Sequence, residues 1–160
     1  MSKLFPVTVT VNGQKYSREV EARMLLSDFL RHELGLMGTH VGCEHGICGA
    51  CTIIFDGEAV RSCLMFAVQA NGHNIRTVES LGTPDNLHPL QESFTEKHAL
   101  QCGFCTPGFL MTLTPFLEQN PRPTEEQVRE AIDGNICRCT GYEKIIEATL
   151  DASKKMSSGK

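Results

Sequence analysis

The chain reads as an α+β protein: a small unit of strands with one helix, followed by an all-helical unit. Three observations predict this. Alternating apolar residues flank Asn-Gly and Asp-Gly pairs in the first part, strand signals stop at the turn-rich stretch 80–86, and segments of helical periodicity fill the remainder.

Val7-Thr8-Val9-Thr10-Val11 alternates apolar and polar, Asn12-Gly13 follows, and 15–20 alternates again with Tyr16 and Val20 on one face, which predicts a β-hairpin. Leu26, Phe29, Leu30, Glu33 and Leu34 fall at helical spacing, and Gly35 is placed to end that helix. Thr52-Ile53-Ile54-Phe55, the turn Asp56-Gly57 and Glu58-Ala59-Val60-Arg61 predict a second hairpin, and 75–78 offers one more strand. Beyond 80–86, helices are expected around Leu87/Leu90/Phe94, Phe109/Leu110/Leu113/Phe116/Leu117, Val128/Ala131/Ile132 and Ile145/Ile146/Thr149/Leu150. Thr124 and Gln127 form a capping box for the third of these, Pro115 should kink the second, and the polar stretch 152–160 should fray. The expected domains are 4–80 and 85–155.

The net charge is −4 over 160 residues, so no basic face argues for nucleic acid. No apolar run approaches membrane-spanning length and the N-terminus lacks a leader pattern, so a cytoplasmic protein is expected. In that compartment the eight cysteines are better explained by metal than by disulfides. They fall into two sets.

Cys43, Cys48, Cys51 and Cys63 have the Cys-x4-Cys-x2-Cys…Cys spacing of a plant-type [2Fe–2S] site, with Gly42, Gly46 and Gly49 freeing the backbone to bring N–H groups close to sulfur. The second set is Cys102, Cys105, Cys137 and Cys139. Cys137 and Cys139 cannot share a face of a regular helix, because residues two apart stand about 200° apart around its axis. Each pair of this set precedes a helix-start signal: Thr106-Pro107 as cap and first helical residue, and Thr140 with Glu143 as a capping box. Two such helix starts facing one another would supply four thiolates beside positive dipole ends, an arrangement that suits a four-helix bundle. Two zinc sites would also use eight thiolates, although a pair separated by one residue is uncommon for zinc.

His45 sits between two ligands of a set that is already full and reads as a loop histidine; the other five histidines show no ligand spacing. No Gly-x-Gly fingerprint, phosphate loop, Ser/His/Asp constellation or His-Glu-x-x-His is present, so no catalytic residue is assigned. One-electron chemistry with nothing to bind an organic substrate implies partners.

The segments Gly42–Thr52, Gln101–Gly108 and Gly134–Tyr142 together resemble the small iron–sulfur subunit of the molybdenum hydroxylases, the xanthine oxidase family, over residues 5–150. The resemblance implies a β-grasp ferredoxin-like domain and a four-helix bundle, each holding one [2Fe–2S] cluster. It also implies a large subunit that carries the molybdenum-pterin cofactor, a medium subunit that binds FAD, and assembly as a dimer of heterotrimers. Gln101 would hydrogen-bond the pterin and Cys139 would approach its amino group. Electrons would pass from molybdenum through both clusters to FAD or an external acceptor, with CO, aldehydes, purines, N-heteroaromatics or aryl-CoA thioesters as substrates of relatives. A free-standing two-cluster ferredoxin-type carrier and a zinc-stapled interaction module are the rival readings.

Overall fold

The computed structural model describes residues 3–158. The first hairpin pairs β1 (Leu4–Val11) with β2 (Gln14–Glu21) antiparallel, with Val11 opposite Gln14 across the Asn12-Gly13 turn. Asn12 sits at φ 51°, the left-handed conformation this tight turn demands. The second hairpin, β3 (Thr52–Phe55) and β4 (Glu58–Arg61), turns on Asp56-Gly57 in the same way, with Asp56 at φ 48°. The last strand, β5 (Asn74–Arg76), runs parallel to β1 and antiparallel to β3, giving a five-stranded sheet ordered β2-β1-β5-β3-β4. It is shorter than the expected 75–78, because Val78 already begins a 3-10 turn, Val78–Ser80.

The predicted first helix is present but irregular. Its α-helical part, α1 (Leu26–Asp28), passes into a π-helical turn, Phe29–Glu33, in which Leu34 N–H reaches back to Phe29 C=O at 3.1 Å. Gly35 ends it at φ 73°, as its position predicts.

Four helices follow: α2 (Pro89–Glu96), α3 (Thr106–Gln119), α4 (Glu125–Ile132) and α5 (Glu143–Ser158). Thr124 and Gln127 close their capping box at 3.3 and 2.8 Å. Pro115 is buried inside α3, which continues through it for another turn. The fraying expected for 152–160 does not occur through Ser158, and residues 159–160 lie outside the described residues: Ala152 and Ser153 are buried, Lys155 pairs with Glu96 at 2.7 Å, and Ser157 donates to Pro121 C=O at 3.1 Å. The polar residues there serve α2 and the 121 turn rather than solvent alone.

The core has two parts, and β3 is the wall between them. Adjacent side chains on a strand point to opposite faces. Ile53 enters a cluster with Val7, Val9, Val11, Phe29, Leu30 and Ile75, whereas Ile54 enters the cluster of Phe94, Phe109, Leu113 and Ile145. The helical part is therefore seated on the back of the sheet through α3.

Candidate metal centres and the seam between them

Both predicted thiol sets are gathered in space. Cys43 Sγ accepts N–H bonds from His45 and Cys48, each at 3.4 Å, so His45 serves through its backbone. Cys63, carried on the 3-10 turn that ends the second hairpin, lies with its thiol against Cys51 and near Cys43. In the other set Cys105 lies against Cys137, and Cys102 and Cys139 approach to 3.6 Å between sulfurs. Gln101, at the surface, donates its side-chain amide to Cys139 C=O at 3.0 Å.

The helix starts differ in detail from expectation. Thr106 is the first residue of α3 and Pro107 the second, with Cys105 in the cap position and no side-chain cap bond. Thr140 does not spend its hydroxyl in a box with Glu143; it donates to Cys137 Sγ at 3.2 Å and accepts from Tyr142 N–H at 3.2 Å. Thr140 N–H adds a second donor to the same sulfur at 3.4 Å, and Cys137 N–H is taken by the Tyr142 hydroxyl at 2.9 Å.

These surroundings divide the thiols electrically. Backbone N–H groups, from Cys48 first and then His45, lower Cys43 to about 6. Burial, then the Cys51 thiol, pushes Cys63 up to about 11, and burial with the Cys137 thiol pushes Cys105 up to about 12. Burial acts to raise Cys137 too, but the two donors on Thr140, joined by Cys139 N–H and the Cys105 thiol, together outweigh it and the net shift is downward. Four crowded thiols cannot all ionise unaided, and a metal centre among them would deprotonate them together. Among the described residues no three His, Cys, Asp or Glu side chains are grouped to hold one metal ion. A binuclear cluster makes no such demand, because its four cysteines are shared between two irons. The donor type, the number of thiols and the N–H groups aimed at sulfur fit [2Fe–2S] centres.

Sequence reasoning missed the seam that joins the two loops. Ile136 N–H donates to Cys48 C=O at 2.9 Å, and Asn135 donates its amide to Gly49 C=O at 3.2 Å. Arg61 reaches from β4 to Gly134 C=O at 2.6 Å and to Thr52 Oγ1 at 2.5 Å. Gly108, in the first turn of α3, lies so near Gly49 C=O that a Cβ there would collide with backbone. His40 stacks on Phe104 with ring centres 5.0 Å apart and bonds its carbonyl at 2.8 Å. Nothing local marks these partners, which stand 64 to 88 residues apart for Ile136–Cys48, Asn135–Gly49, Arg61–Gly134 and His40–Phe104.

Residues 9–75 match the family described as 2Fe-2S iron-sulfur cluster binding domain, and residues 77–150 match the [2Fe-2S] binding domain. The 6-hydroxypseudooxynicotine dehydrogenase complex subunit beta of Paenarthrobacter nicotinovorans is 59% identical over 149 residues, covering 92% of this chain and 93% of that one. Caffeine dehydrogenase subunit gamma of Pseudomonas sp. (strain CBB1) is also 59% identical, over 150 residues that cover 92% and 90% of the two chains. A chain in the crystal structure of quinoline 2-oxidoreductase from Pseudomonas putida 86 superposes with a TM-score of 0.94 at 50% identity, covering 99% of each. The chain therefore belongs to the family of small iron–sulfur subunits of the molybdenum hydroxylases, electron-transfer subunits of oxidoreductases whose catalysis takes place on another subunit.

Proposed function

We propose that this chain relays electrons from the molybdenum-pterin site of a large partner subunit to FAD on a medium subunit or to an external acceptor. The observation that carries the proposal is the gathering of four thiols twice, each time with N–H groups aimed at sulfur. Cys43, Cys48, Cys51 and Cys63 would hold one [2Fe–2S] cluster in a β-grasp ferredoxin-like domain, 4–80. Cys102, Cys105, Cys137 and Cys139 would hold the other in a four-helix bundle, 85–155. When bound, each cluster supplies a reversible one-electron couple.

The protein's own part is to bind and to tune. His45 and Cys48 N–H groups stabilise charge on Cys43, and Thr140 does so on Cys137. Cys63 and Cys51 are buried, whereas Cys102 and Cys139 are exposed beside Gln101. That exposure supports Gln101 and Cys139 as the pair that meets the pterin, the edge where a partner's cofactor can come close. The chain spans about nine-tenths of relatives named as subunits, which supports a subunit over a free carrier. Assembly as a cytoplasmic dimer of heterotrimers is the proposed setting. An N-heteroaromatic is the favoured substrate class, because the relatives above are named for pyridine, purine and quinoline compounds.

In the reconstituted complex, Cys105→Ser should block flavin reduction by substrate while molybdenum stays reducible. Flavin reduction at the normal rate would refute the relay.

A further inference from the structure

The seam contains more polar bonding than adhesion requires. Apolar packing of α3 on β3 through Ile54 already holds the helical part to the sheet, but such packing is not directional. The polar contacts are directional, and each ends on a loop that carries thiols. Gly49 lies between Cys48 and Cys51, and Gly134 lies three residues before Cys137. Arg61 itself precedes Cys63 by two residues, so one guanidinium ties the strand leading into one thiol set to the loop leading into the other.

Asn135 completes the arrangement. It is 2% exposed, and both ends of its amide are engaged: Nδ2 on Gly49 C=O, and Oδ1 with Thr112 Oγ1 at 3.0 Å and Arg61 Nη2 at 3.4 Å. A planar fork and an amide that must donate on one side and accept on the other fix orientation as well as distance. Neither side chain bonds a sulfur, so neither is a ligand or a tuning donor.

We propose that Arg61 and Asn135 are a positioning pair that fixes the separation of the two thiol sets and hence the rate of electron exchange between them. This rests on the two-cluster reading above. Tunnelling falls off steeply with distance, so a loop free to drift would trade one exchange rate for many.

The test uses the full chain loaded anaerobically with iron and sulfide, in wild-type form and as Arg61→Met and Asn135→Asp. Iron and sulfide are counted first. Dithionite-reduced samples then give the spin–spin splitting between the two centres in low-temperature EPR, and flash photoreduction gives the rate at which they equilibrate. The wild type should show a single resolved splitting. Both variants should keep full iron yet show a smeared or narrowed splitting, with equilibration slower than in the wild type.

Variants with full iron, unchanged splitting and unchanged rate overturn the proposal even if their melting temperature falls, because that is the signature of a purely structural role. A fully loaded wild type without splitting overturns it as well. A wild type holding fewer than about four irons overturns the two-cluster reading beneath it instead. Should Arg61→Met not fold, Arg61→Lys keeps charge and stem but cannot fork to Thr52 and Gly134 together, and it takes its place in the same comparison.

Discussion

Cys137 receives two donors from one residue, the N–H and O–H of Thr140, while its own N–H goes to Tyr142. Donors to a ligand sulfur favour the more negative, reduced state, so Thr140→Val should make the second centre harder to reduce. A net hydrogen bond of about 1 kcal/mol corresponds to roughly 40 mV for a one-electron couple. EPR-monitored redox titration should find that shift in one centre and none in the other. The iron-free chain offers a second check at this scale. With Cys43 near 6 and Cys63 and Cys105 near 11 and 12, iodoacetamide at neutral pH should modify Cys43 and spare the other two, as read by peptide mass spectrometry. Cys43 ionises more easily folded than unfolded, so its contribution to stability is complete above the ordinary thiol value, about 8.5, and is lost as pH falls through about 6.

Helix α3 reaches the first cysteine loop only because residue 108 has no side chain, since the nearest neighbours of an added Cβ are Gly49 C=O and Ala50 Cα. Both are backbone and cannot rotate away. Gly108→Ala should therefore cost about 3 kcal/mol by overpacking, seen as a lower midpoint in urea, although alanine is the better helix former. The elements themselves were legible where a local rule decides them. The two hairpin turns, the Gly35 stop and the Thr124 cap each follow from a few adjacent residues. Other features answer to partners, near in sequence or far, that no rule of capping or periodicity names. Thr140 is drawn from its capping box by the Cys137 sulfur, and 152–158 stays helical because Glu96 and the Pro121 carbonyl hold it. The two sets of four cysteines were readable from spacing, whereas Arg61 and Asn135 acquire their roles only once the two halves meet.

Across the whole molecule, β3 feeds side chains to both cores and the seam bonds one thiol loop to the other. Neither half presents a finished surface where they join. The metal-loaded protein should unfold in one calorimetric transition, not two, and chelating iron should lower the stability of both halves together. The nearness of the exposed Cys102 and Cys139 sulfurs, 3.6 Å apart, has a practical corollary for handling. An unfilled chain that meets air can surrender two electrons and two protons to dioxygen, forming peroxide and a disulfide that occupies half of the second binding set. Maturation in the cell must then outrun oxygen, and a preparation left to stand open should need a reducing thiol before it will accept its inorganic cargo.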